Sequence, residues 1–204
     1  MQLVVDRIET LQPPTIRLAR IGAVIGAGFR PVLAAQVAGI GIDDCWGRIE
    51  RLVRANLIER LPGERVHFVH DRVREAMIAG LDDVQRRDLH QAVAEALEAS
   101  PDEDTNHVFV VAQHYARGHT ERNPPRVLET STAAGLQALD GYANQDAYGW
   151  LKNALDTVEG LWIDEAGLAS LREALGIAAT RIGCLSEAYI QLESGSWGPS
   201  VASC

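Results

Sequence analysis

The chain has 204 residues, 47% hydrophobic and 23% charged, with a formal net charge of −9. That is a globular composition with room for one domain or two small ones, not that of a disordered chain. The acidity weighs against a general nucleic-acid or anionic-lipid binder, and no stretch reads as a signal peptide or membrane span.

Charge is uneven along the chain. Residues 1–100 hold 14 acids against 13 basic residues, and residues 101–204 hold 14 against 6, which suggests two modules. Aromatic content is 5%, so the helices must pack through Ala, Gly and Leu. Cys45, Cys184 and Cys204 form no CxxC pair and read as reduced thiols of a cytoplasmic protein.

In chain order, Met1 to Leu11 carries a short helical stripe that Pro13-Pro14 ends. Thr15 to Ile25 is the next helix, with Ile16, Leu18, Ala19, Ile21 and Val24 as core candidates, and Gly26-Ala27-Gly28 breaks it. Pro31 to Ala38 is a brief helix closed by glycines. Asp43-Asp44 reads as the N-terminal cap of a helix to about Asn56, with Trp46, Ile49, Leu52 and Val53 as its buried stripe. Leu57 to Leu61 and Arg65 to Val69 read as strands around a Pro62-Gly63-Glu64 turn. Three helices followed by a hairpin is the plan of a winged helix.

Two amphipathic helices follow, Asp71 to Gly80 and Asp83 to Ala99, then a Pro/Asp linker from Ser100 to Thr105. Beyond it the pattern is helical throughout: Val108 to Arg117, Pro125 to Leu139, Gln145 to Gly160, Glu165 to Arg181 and Leu185 to Glu193. These helices carry a weak repeat. Gly135, Ala147, Leu151 and Ala154 have the small–small–large–small spacing of a tetratricopeptide (TPR) hairpin, and Gly176, Ala188, Leu192 and Gly195 repeat it 41 residues on. Small residues let helix backbones approach and the large one fills the groove beside them. The period departs from the usual TPR length. The large aromatics of the first helix are missing too, with Ser131 and Ala138, then Arg172 and Ala179, in their places. The tail Ser194 to Cys204 is Ser/Gly-rich and reads as disordered, with no polar capping helix visible, so the chain reads as a fragment of a larger protein. The expected fold is mainly α: a winged-helix subdomain over 1–80, a TPR-like antiparallel helical array over 81–193, and the tail.

A resemblance runs through roughly residues 6–192. Arg7-Ile8, Leu18, Ala23-Val24-Ile25-Gly26 and Phe29 come first, then Leu52-Val53 with Leu57-Ile58. The most specific part is Phe68-Val69-His70-Asp71-Arg72-Val73-Arg74-Glu75-Ala76, followed by Arg87, Leu89-His90 and Ala112, His114-Tyr115. Together these resemble the helical half of STAND-type signalling ATPases, the bacterial ATP-binding regulators and cyclase- or kinase-linked ATPases. The resemblance implies a P-loop ATPase core, then a winged helix, then a superhelical sensor, of which the last two are here. It also implies that His70, in a Val69-His70-Asp71 match to the Met-His-Asp motif of NLR-type members, contacts the phosphate of ADP with Asp71 beside it.

The chain itself carries no P-loop. Lys152, its single lysine, is followed by Asn153, and Gly22 to Gly28 lacks the lysine that would neutralise phosphates. No cofactor is expected in this chain; ADP or ATP belongs to the missing core. No Gly-x-Ser-x-Gly elbow occurs, the histidines are scattered without metal-ligand spacing, and His90 and His114 lie on apolar helix faces. Asp82-Asp83 reads as a helix cap. Arg48, Arg51 and Arg54 lie on the helix where a winged helix reads DNA, but Asp43, Asp44 and Glu50 offset them. The expected function is therefore non-enzymatic: a cytoplasmic regulatory and protein-interaction module acting through domain rearrangement. Its partners would be a protein or a P-loop ATPase core, with a small-molecule inducer on the helical array. The alternative is a DNA-binding winged-helix transcription regulator.

Overall fold

The computed structural model describes residues 7–8, 10–100, 106–158, 161 and 164–195. Among them the fold is mainly helical, with ten helices and one three-stranded antiparallel sheet. No described helix is long and apolar enough to cross a membrane. The chain divides into two compact units, Met1–Asp102 and Glu103–Cys204. The division thus falls at 102/103, whereas the sequence placed it at 80/81. The expectations for most of the first eleven residues, the 101–105 linker and the tail beyond 195 lie outside the described residues.

The first unit contains α1 (Pro13–Ile25), β1 (Gly28–Phe29), α2 (Pro31–Ala38) and α3 (Ile42–Arg54), then β2 (Ile58–Leu61) and β3 (Arg65–Phe68), then α4 (Asp71–Ala79) and α5 (Asp83–Ala99). Prolines open α1 and α2, where a missing amide costs nothing. The sheet order is β1-β3-β2: Phe29 is registered with Val66, and Ile58 with Phe68. The hairpin was legible in the sequence. The third strand was not, because Gly28-Phe29 falls in what reads as a glycine break. Phe29 is what that strand delivers. Its ring lies 6.1 Å from that of Phe68 and seats directly on Gly22, where a Cβ would stand 2.4 Å away. Leu18, Ile21, Ile49, Leu52, Leu57 and Met77 complete the buried core.

Two caps differ from expectation. Gly41 is the N-cap of α3, and Asp43 and Asp44 lie in its first turn without a side-chain cap bond, so they favour the helix through its positive end only. At α5 the cap is as read: Asp82 accepts the Gln85 amide at 2.8 Å and Gln85 answers it, a complete capping box. α5 packs along α1 and α2, with Leu89 against the core, and this places it in the first unit.

The second unit is α6 (His107–Arg117), α7 (Pro124–Asp140), α8 (Asn144–Thr157), α9 (Glu165–Arg181) and α10 (Leu185–Gly195). Its two hairpins, α7–α8 and α9–α10, repeat with the 41-residue offset. In the first, a Cβ on Gly135 would lie 2.5 Å from Leu151; in the second, one on Gly176 would lie 2.7 Å from Leu192. The turns match too. Tyr142 at φ 58° and Gly183 at φ 83° take the same left-handed place, and the following amides, Ala143 and Cys184, each reach back to Ala138 and Ala179 at 2.9 Å. Each is a Schellman closure that satisfies the last helical carbonyls. Arg181 donates to the Leu139 carbonyl and to Asn144 Oδ1, both at 3.3 Å, and so ties the end of α9 to the α7–α8 turn. Leu139, Leu151, Leu171 and Leu175, with Ala147, Ala154, Ala174 and Ala178, form the core.

Candidate functional site

His70 is the residue before α4 and occupies its N-cap position. Its backbone is extended, and its carbonyl accepts the Val73 amide at 2.9 Å. Its side chain makes no cap bond, so the first-turn amides of α4 are not claimed by it. Asp71 is the first helical residue and not the cap. Both side chains are exposed, so His70 does not pack into the core of its unit. The Val73 amide is taken by the His70 carbonyl, but no side chain caps this helix start, and an exposed imidazole there can donate to an oxyanion beside the first-turn amides that remain. Beside it, His67 of β3 pairs with Glu59 of β2 at 2.5 Å, across registered positions of the sheet.

Arg48, Arg51 and Arg54 do not act as one cationic face. Arg48 is half-buried, and its Nη1 reaches the Pro14 carbonyl at 3.4 Å, tying α3 to α1. Arg54 pairs with Glu50 at 3.7 Å, and Glu50 also takes Arg60 at 3.3 Å. Arg60 in turn lies over the Trp46 ring, 4.7 Å from its centroid. Arg51 and Arg54 remain exposed.

The histidines expected in apolar faces are buried: His90 is 8% and His114 2% exposed. His119 is buried as well, with Nδ1 3.1 Å from Glu121. Among the described residues no three His, Cys, Asp or Glu side chains stand together as a metal site. Cys45 is buried against the Pro31 carbonyl, its Sγ 3.4 Å away, and burial pushes its thiol up to about 11 against a smaller opposing pull from Arg48. It is therefore a core residue with no nucleophilic character at neutral pH.

A groove of about 550 Å³, not foreseeable from the sequence, lies between α7 and α9. From α7 it takes Leu128, Thr132, Ala133 and Leu136, at helical spacings of one stripe. From α9 it takes Gly167, Ser170, Leu171 and Ala174, again one stripe. The floor is apolar. The carboxylate of Glu129 stands at the lining, already bonded by Arg126. The spacing of each stripe was visible in the sequence, but their juxtaposition depends on α7 and α9 lying side by side.

No family model, no curated protein and no solved structure matches this chain.

Proposed function

We propose that the chain is a regulatory and interaction module of the STAND ATPase type: a winged-helix subdomain followed by a TPR-like array. In this reading it is cytoplasmic and bacterial, performs no catalysis of its own, and works by a ligand-dependent shift in domain arrangement. The winged-helix unit docks on a nucleotide-bearing P-loop core, where His70 meets the phosphate. The array receives a protein segment or an apolar inducer in the α7–α9 groove.

The observation that carries the reading is the order of elements. Helix, strand, two helices and a two-stranded wing precede α4, and helical hairpins with a repeated Gly–Leu seam come later. The open apolar groove between the first helices of those hairpins gives the array a place to bind.

Three measurements on the purified chain test it. An apolar fluorescent probe, 8-anilinonaphthalene-1-sulfonate, should bind the wild type and lose most of its signal in Ala133→Trp, which fills the groove. Random-sequence duplex DNA at low salt should not be retarded. Retardation that collapses when Arg48, Arg51 and Arg54 all become Glu would replace this reading with the DNA-binding one. Steady ATP turnover by contaminant-free chain would overturn the non-catalytic assignment.

A further inference from the structure

The two hairpins of the second unit repeat with an offset of 41 residues, so each position on α8 has a counterpart on α10. Asn144, Tyr148 and Leu151 lie along one side of α8, at helical spacings of four and three. α9 takes this side. Arg181 of α9 donates to Asn144 Oδ1 at 3.3 Å, Tyr148 packs against the core that holds Leu171 and Leu175, and Leu151 is fully buried.

The counterparts on α10 are Leu185, Tyr189 and Leu192. They keep the spacing and are more apolar, since Leu185 stands where α8 has Asn144. Yet they are 68%, 64% and 41% exposed. The tyrosines make the comparison direct: half-buried on α8, open to solvent at the same place on α10. Large apolar side chains in one row mark an interaction surface, whereas single ones scattered over a protein do not. The repeat shows what such a row receives, because the chain covers the α8 row with a helix bearing Leu171, Ala174, Leu175 and Ala178.

We propose that the α10 row packs against α10 of a second copy of this chain, antiparallel, about a twofold axis. Two features select a second copy. The row at i, i+4 and i+7 is what one helix presents to another, so it is at once the surface and its own complement. With the axis between positions 188 and 189, Leu185 of each copy meets Leu192 of the other, and the two Tyr189 rings lie side by side. Also, positions 185, 189 and 192 carry no charge, so copies of net charge −9 meet here without a like-charge contact within the row. Such a face is smaller than the roughly 800 Å² per partner of a standard interface, so the dimer is weak, half-formed near about 100 µM. The inference rests on the repeat and not on the STAND reading, and either stands if the other fails.

The experiment is sedimentation equilibrium of the full chain from about 5 to about 500 µM, a range that brackets the expected midpoint. The mass should rise from 22.2 kDa toward twice that value and stop there. Tyr189→Glu should weaken association at least about tenfold, with the helical circular-dichroism signal unchanged. Leu185→Glu, at the most exposed position of the row, should do the same and serves if Tyr189→Glu does not fold. Tyr189→Lys alone should also be monomeric. An equimolar mixture of Tyr189→Lys and Tyr189→Glu should associate at least about tenfold more tightly than either alone, because the axis brings position 189 of one copy to position 189 of the other. Leu136→Glu, in the α7–α9 groove, should leave the dimer intact. A chain still monomeric at the highest concentration overturns the proposal, the result expected if this face serves a helix of another protein or a further stretch of chain. So do a mass that grows past the dimer, a dimer that survives Tyr189→Glu or Leu185→Glu, a mixture that gains nothing, or a dimer lost in Leu136→Glu.

Discussion

The Gly135–Leu151 contact makes a demanding test of the repeat. Gly135→Ala would put a methyl 2.5 and 2.8 Å from two Leu151 side-chain carbons and 3.2 Å from the Leu151 amide nitrogen. Carbon contacts relax at about 3.5–4.0 Å, so the leucine must move. It is fully buried in the seam, and the backbone nitrogen cannot rotate away. Overpacking of this kind costs about 1–3 kcal/mol. Any Gly→Ala change inside a helix also gains about 1 kcal/mol of propensity, which masks part of the clash. Gly149 in α8 supplies the control, because a Cβ there meets nothing within 4 Å. Subtracting the Gly149→Ala result cancels propensity and leaves the clash alone, so Gly135→Ala should be about 1–3 kcal/mol less stable than Gly149→Ala, which puts it between neutral and about 2 kcal/mol below the wild type. Gly176→Ala should fall between, because its Leu192 neighbour is 41% exposed and free to swing. Leu151→Ala alone should cost about 2–5 kcal/mol, and combined with Gly135→Ala the cost should be less than additive, since the new methyl enters the space left behind. Hydrogen exchange of the α7 and α8 amides reads these values for this unit without assuming that the chain unfolds in one step. Equal stability of Gly135→Ala and Gly149→Ala would refute the close-approach account of the seam.

Three further outcomes are expected. Thr15 is fully buried with its hydroxyl unbonded, so the isosteric Thr15→Val should leave the melting temperature unchanged or raise it, by up to about 1 kcal/mol of stability; a clear loss would mean that the hydroxyl has a partner. Cys184 is exposed and should react with iodoacetamide in the native chain while Cys45 stays unmodified until unfolding, read by mass spectrometry of the two peptides. Because the Cys45 thiol is raised from 9.0 to about 11 by burial, the unfolded state loses its proton first, so its contribution is intact below pH 9 and falls away as pH rises from 9 to 11. Cys45→Ala should flatten that alkaline loss in pH-dependent melts. Tyr142 sits at φ 58° where its repeat counterpart is Gly183, and Arg181 lies 5.6 Å from its ring centroid. Tyr142→Gly should relieve about 1 kcal/mol of backbone strain but forfeit a similar stacking contribution, and so be stabilising only in an Arg181→Gln background.

How much was legible in the sequence depended on the range of the physics involved. The Gly135–Leu151 and Gly176–Leu192 pairs each lie within a single hairpin, and their small–large spacing follows from the approach of two consecutive helices, so composition and period reach them. The β2–β3 hairpin is equally local, marked by Pro62-Gly63-Glu64. β1 escaped because two residues have no period; only pairing with β3 makes Gly28-Phe29 a strand. Asp43-Asp44 looked like a cap because acids favour helix starts by charge as well as by capping, and sequence does not separate the two. In the sequence α5 reads with the array because its pattern is simply amphipathic, and which partner takes its apolar side is a tertiary matter. The α7–α9 groove could not be read, since it is made by segments about 40 residues apart that only the folded chain brings together.

The seam and the groove share α7, but they use different sides of it. Ser131, Gly135 and Ala138 are buried in the hairpin, with Ser131 bonded by Asn153 at 2.9 Å. Ala133 and Leu136, on the groove side, are exposed, Leu136 by 45%. One residue along a helix is a rotation of about 100°, so neighbours in sequence such as 135 and 136 answer to different constraints. Stability and binding should therefore separate by mutation. Leu136→Glu should abolish probe binding in the groove while costing no more than about 0.5 kcal/mol, the range of surface changes. Gly135→Ala should do the reverse, weakening the fold while leaving groove affinity within about twofold once corrected for the folded fraction. If both variants lowered stability and binding together, the groove would be a by-product of seam packing and not a surface in its own right.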